Sequence, residues 1–199
     1  MEFIAHRINT VEELKQIPLE YGVEIDLRDY KDELILQHDP FLSGEKFKDF
    51  LMHYSHGTLI LNIKSERIEY KVLELIKKYN IEKYFFLDST FPMIYLLSEK
   101  LNENNIAIRF SEFEKLDTVI EMQNKIKWVW VDCFTQLPIN KEIFRKLKKC
   151  NFNLCLVSPE LQGREEDIKR YKEFLKKEEI VFDAICTKIY NIKEWKQNG

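Results

Sequence analysis

At 199 residues the chain is long enough for one domain with a sizeable core, and 45% hydrophobic with 33% charged residues is an ordinary balance for a globular protein. The net charge of −3 argues against a general nucleic-acid binder, which would be basic, and no apolar stretch approaches the roughly 20 residues a membrane helix needs. No basic segment followed by a long apolar one opens the chain, so the cytoplasm is the expected compartment.

Strand-like and helix-like segments alternate from end to end. Residues 3–5 form a short apolar run that ends in His6 and Arg7. Thr10 and Glu13 make a capping box, in which the Thr hydroxyl can bond the backbone N–H three residues on and the Glu can reach back. The second run, residues 23–27, carries Glu24 and Asp26. After a turn at residues 29–33, residues 34–37 read as an extra strand that leads into His38 and Asp39. His53 and His56 lie around a helix-to-strand connection at residues 54–57 and read as ordinary structural histidines. Residues 59–63 form the third main strand, which ends in Asn62 and Lys64.

Beyond this point Ile68, Val72, Leu75, Ile76 and Tyr79 form one apolar helical stripe. Residues 84–87 are the fourth strand, followed by Asp88 and Ser89 and then by a helix over residues 91–101. The fifth strand, residues 106–109, ends at Arg109, with Ser111 and Glu112 after it, and a helix is expected over residues 113–122. The sixth, residues 128–132, places Trp128, Trp130 and Asp132 on one face, where core filling is the expected role of the tryptophans. A helix over residues 141–149 precedes the seventh strand, residues 153–157. Ser158 and Pro159 then read as an N-cap and the first helical position, and Ile168, Tyr171, Phe174 and Leu175 mark another helix. The eighth strand, residues 184–187, is followed by Lys188. Cys133, Cys150, Cys155 and Cys186 show no CxxC spacing and read as free thiols, three of them in strand-like runs.

Eight strands alternating with helices imply an α/β chain with a parallel sheet, closed into a compact (β/α)8 TIM barrel. An open doubly wound sheet is the alternative. No Pro-, Gly- or Ser-rich linker divides the chain, so residues 1–199 are expected to form a single barrel domain. In such a barrel functional residues lie at the carboxyl ends of the strands, and the ionisable residues named above fall there repeatedly.

Residues two apart on a strand share a face, so Glu24 projects with Asp26 and Asn62 with Lys64. Two carboxylates side by side call for a positive charge between them. A hard cation with oxygen ligands, Mg2+ or Ca2+, is one occupant; an ion-pair network with Arg7 and Lys64 is the other. His6 and His38 are the proton-transfer candidates, because histidine titrates near neutral pH. Arg7 and Lys64 suit phosphate oxygens. Together these residues can bind a divalent cation and a phosphate and move protons between them, which phosphodiester cleavage requires.

This constellation resembles the glycerophosphodiester phosphodiesterases. That family has Ala-His-Arg after the first strand, Glu-x-Asp on the second and His-Asp after a short extra strand. Ala5-His6-Arg7, Glu24-Ile25-Asp26 and His38-Asp39 match these in order and approximate spacing. Asn62-Ile63-Lys64 is similar to the family's Glu-x-Lys, and residues 183–187 look like its closing strand. The resemblance is most specific over residues 3–64. It implies a (β/α)8 barrel, a phosphodiesterase dependent on a divalent cation (Mg2+ or Ca2+), and His6 and His38 as the catalytic pair. It further implies Glu24, Asp26 and Asn62 as metal ligands and a small-molecule phosphodiester as the partner.

The departures bear on the substrate. Ile8 stands where the family has Gly, and only Asn9-Thr10 echoes its Pro-Glu-Asn-Thr loop. Asn62 replaces a carboxylate and Lys188 replaces an Asp. Arg109 and Lys188, with Lys64, suggest contacts to a more anionic substrate, such as a nucleotide or sugar phosphodiester. The alternative is that these cations pair with Glu112, Asp132 and Glu160. Two further readings are a catalytically silent barrel that binds a phosphorylated ligand and a lyase that gives a cyclic phosphate.

Overall fold

The computed structural model describes residues 1–196. Its strands are β1 (Glu2–Ala5), β2 (Gly22–Tyr30), β3 (Glu33–Leu36), β4 (Glu45–Lys46), β5 (Leu59–Ile63), β6 (Tyr84–Leu87), β7 (Ala107–Phe110), β8 (Trp128–Val131), β9 (Asn153–Val157) and β10 (Ala184–Thr187). Its helices are α1 (Val11–Leu14), α2 (Phe47–Leu51), α3 (Glu69–Lys78), α4 (Phe91–Tyr95), α5 (Leu116–Ile120), α6 (Lys141–Lys149), α7 (Asp167–Lys177) and α8 (Ile192–Lys196). No helix among the described residues is long and apolar enough to cross a membrane.

The chain divides into two compact units, one running from Ala5 to Asn102 and the other comprising Met1–Ile4 and the chain from Glu103 onward. In the first unit the strands are ordered β4-β3-β2-β5-β6. β2, β5 and β6 are parallel neighbours, whereas β3 turns back antiparallel on the second half of β2. Leu59–Ile63 is buried at every position, as expected of a parallel strand covered on both faces, and Asn62 is its one polar residue. Asp26 pairs with Asn62 and Leu27 with Ile63, which sets two polar side chains beside each other on neighbouring strands. In the second unit the order is β1-β10-β9-β8-β7, with β7 to β10 parallel.

The eight main strands and the extra strand lie where the apolar runs put them, each within a few residues. The exceptions have local causes. β2 runs three residues past residue 27, because its end pairs with β3 rather than with a parallel neighbour. The α3 stripe buries Leu73 in place of Leu75. The segment expected to be one helix over residues 91–101 changes at Leu96 into a π-turn, with the Ser98 hydroxyl bonded to the Ile94 carbonyl at 2.8 Å. Thr10 makes the expected reciprocal capping box with Glu13. Ser158 stands at an N-cap position, but its hydroxyl accepts from the Trp195 indole at 2.8 Å and makes no capping bond. The four cysteines are free thiols, and burial pushes the Cys133 thiol up to about 12.

Candidate functional site

The first unit gathers most of the predicted residues around the carboxyl ends of β2 and β5. Glu24 and Asp26 are 0% and 1% exposed, so neither carboxylate is solvated by water. Both are met by hydrogen-bond donors and cations. Glu24 Oε1 accepts from Asn62 Nδ2 at 2.7 Å and Oε2 from the Arg7 backbone N–H at 2.8 Å. His6 Nε2 lies 3.7 Å from Glu24 Oε2. Arg7 holds this position in the left-handed region, with φ 58°, a conformation that costs a non-glycine residue about 1 kcal/mol. That backbone turn is what aims its N–H at the carboxylate.

Asp26 is bracketed by one side chain. Asn9 donates to Asp26 Oδ2 at 2.9 Å and accepts from the Asp26 backbone N–H at 2.8 Å. Asn9 is in turn held by the capping box, since its own N–H donates to Glu13 at 2.9 Å. Arg7 Nε stands 3.6 Å from Asp26 Oδ2 and Lys64 Nζ 3.6 Å from Oδ1. Lys64 also lies 3.7 Å from Asp88, a second residue at positive φ, 59°. Asp26 thus has two cations at hand and Glu24 has none as close. Burial first, and then the charge of Asp26, raise the Glu24 carboxyl from its ordinary value of 4.5 to about 7.

His38 sits on the loop after β3. Its Nδ1 is 2.8 Å from Asp39 Oδ1, and this bond is the main cause that holds the Asp39 carboxyl below its usual range. An ionised Asp39 can only accept, so Nδ1 donates and Nε2 is left for proton transfer. The loop is fixed from β2: the Arg28 guanidinium donates to the His38 carbonyl at 2.9 and 3.2 Å and to the Lys64 carbonyl at 3.0 Å.

His6, Arg7, Glu24, Asp26, Asn62 and Lys64 therefore form one cluster, and His38 is tied to its edge through Arg28. Arg109 and Lys188 belong to the second unit. There Arg109 is ion-paired with the buried Asp132, which also accepts from Gln162 at 2.8 Å, and the Lys188 backbone N–H donates to Glu160 at 3.1 Å. His56 is structural, bonded to the Ile17 carbonyl at 3.0 Å. The sequence reading passed over Arg28 and gave Asn9 no contact. The first was within reach, because Arg28 is two residues past Asp26 and shares its face of β2.

The donor set can be tested against a divalent cation. Among the described residues no group of three or more His, Cys, Asp or Glu is arranged to hold an ion. A third oxygen must therefore come from elsewhere, and the Asn62 Oδ1 is buried without a hydrogen-bond partner. Two buried carboxylates, one of them short of compensating charge, and an orphaned amide oxygen suit a hard cation.

No protein-family model matches this chain, and no curated protein matches it in sequence. Two phosphodiesterases are among the solved structures that are similar. One is a glycerophosphodiester phosphodiesterase from Agrobacterium tumefaciens, with a TM-score of 0.69 and 13% identity over 94% of this chain and 96% of that one. The other is a glycerophosphoryl diester phosphodiesterase from Parabacteroides distasonis, with a TM-score of 0.62 and 14% identity over 93% of this chain and 81% of that one. The chain has the fold of these enzymes, and the expectation of an α/β barrel of the (β/α)8 type is borne out.

Proposed function

We propose that the chain is a phosphodiesterase that depends on a divalent cation, Mg2+ or Ca2+, and cleaves a small-molecule diester of the glycerophosphodiester kind or a nucleotide or sugar phosphodiester. The observation that carries this reading is the buried Glu24–Asp26–Asn62 cluster with His6, Arg7 and Lys64 around it. The shared fold supports it.

Glu24, Asp26 and the Asn62 amide oxygen would hold the ion. When bound, the ion supplies positive charge against the phosphoryl oxygens as negative charge builds on them. Arg7 and Lys64 face the non-bridging oxygens and orient the diester. His6 takes the proton from the attacking water, and the neighbouring Glu24 carboxylate favours the imidazolium that results. His38, as an imidazolium with Nδ1 held by Asp39, gives its Nε2 proton to the leaving alcohol oxygen.

Assay of the purified protein with Mg2+ or Ca2+ across a panel of phosphodiesters, with the product followed by phosphorus NMR, tests this. A phosphomonoester is the expected product. A cyclic phosphate would assign a lyase, and binding without turnover of any diester would assign a silent barrel.

Asn62 carries a separate prediction. In Asn62→Glu the donor to Glu24 is replaced by a third buried carboxylate beside Glu24 and Asp26. Without metal the variant should lose about 3 kcal/mol of stability, since an unpaired charge is buried. Metal binding should tighten about tenfold, because ligand charge sets affinity for hard cations. Thermal melts in chelator and calorimetric metal titration read the two effects. Unchanged metal affinity would place Asn62 outside the ligand set.

A further inference from the structure

We propose that Arg28 is a positioning residue that ties the proton-donating loop at His38 to the backbone at the end of β5. The inference rests on the phosphodiesterase reading above.

The backbone ladder ends at Gln37 on one side of β2 and at Lys64 on the other. On one side the last bond is from the Gln37 N–H to the Asp26 carbonyl at 2.9 Å, and on the other it is from the Lys64 N–H to the Leu27 carbonyl at 2.8 Å. The carbonyls of His38 and Lys64 lie just beyond these bonds. The Arg28 side chain reaches both, with Nε and Nη2 on His38 at 3.2 and 2.9 Å and Nη1 on Lys64 at 3.0 Å. One guanidinium thus continues the sheet where the main chain leaves it. Asp29 reinforces the same edge, its N–H donating to the Ser65 hydroxyl at 3.3 Å.

The chemistry needs arginine. A planar fork has N–H groups aimed in several fixed directions, whereas a lysine ammonium is a point charge on a flexible stem. Arg28 and Arg7 also lie close enough to Asp39 to favour its ionised form, which keeps the His38 Nδ1 proton directed at Asp39 and Nε2 at the leaving group. Displacement of a proton donor by about 1 Å costs on the order of 100-fold in rate.

The test uses two substrates. A glycerophosphodiester expels an alkoxide and needs a proton; bis(p-nitrophenyl) phosphate expels a stable anion and does not. Arg28→Met should lower kcat about 100-fold on the first and less than about 3-fold on the second. Arg28→Lys keeps the charge and one bond, so it should recover part of the loss. It also gives the same contrast between substrates if the Met variant folds poorly. In a His38→Ala background Arg28→Met should cost little more, because the loss has already been taken. Equal losses on both substrates, losses that add to those of His38→Ala, or an unchanged kcat would overturn the proposal while leaving the phosphodiesterase reading in place. A wild-type protein that turns over neither substrate would overturn the reading and the proposal together.

Discussion

His38→Ala and His6→Ala should each lower turnover of a glycerophosphodiester by about two to four orders of magnitude, the range of general acid–base catalysis, with the fold kept. The fold should survive because neither side chain belongs to the apolar core; His38 is 39% exposed and His6 17%. The two losses should differ in kind. His38 serves the leaving oxygen, so replacing the alkyl alcohol by p-nitrophenol should restore most of the rate of His38→Ala. His6 serves the attacking water, which both substrates need, so His6→Ala should stay slow on both. Steady-state kinetics on the two substrates separate these outcomes. A variant that keeps near-wild-type kcat on the alkyl diester would remove that histidine from the mechanism, and rescue of His6→Ala by nitrophenol would exchange the two roles.

Much of the first unit was legible because the polar residues interrupt apolar runs at a two-residue spacing. Glu24 and Asp26 on a strand otherwise made of Val23, Ile25 and Leu27 cannot be a solvated edge; their near-complete burial follows from the run they sit in. The strand boundaries were legible for the same reason. The contacts beyond the strands were not. That Arg7 turns into the left-handed region, that Asn9 doubles back on Asp26 and that Arg28 spans two carbonyls depend on how separate loops meet, and one sequence carries no periodicity for that. Arg109 shows the limit from the other side. Its place at the end of β7 suggests a phosphate contact, and the structure shows its guanidinium ion-paired with Asp132 from the next strand, the pairing the sequence offered as the alternative.

Removal of the cation should abolish activity, and the pH dependence should identify Glu24 as a ligand. Its carboxyl is raised from 4.5 to about 7, chiefly by burial, so the folded protein holds a proton there that the unfolded chain would release. The sign follows from linkage. A raised folded value gives stability that is complete below pH 4.5 and is lost as pH climbs through about 7. At about 1.4 kcal/mol for each pH unit the loss is about 3 kcal/mol. In EDTA the melting temperature contributed by this group should therefore fall between pH 5 and 8. Addition of Mg2+ or Ca2+ should restore it, and more so at pH 8 than at pH 5.5, because the ion takes the place of the proton. Below about pH 7 metal affinity should drop about tenfold for each unit of acidification, since each ion bound must displace one proton. Glu24→Gln should remove this pH dependence and leave the apo protein at least as stable as wild type at pH 8, because a neutral amide does not bear the burial cost of the charge. Calorimetric titration at several pH values measures the affinity slope, and melts with and without chelator measure the stability change. Metal affinity that does not vary with pH would exclude Glu24 from the ligand set. Full activity in EDTA would return Glu24 and Asp26 to an ion-pair network with Arg7 and Lys64, with those two cations alone to offset the charge that develops on the phosphoryl group.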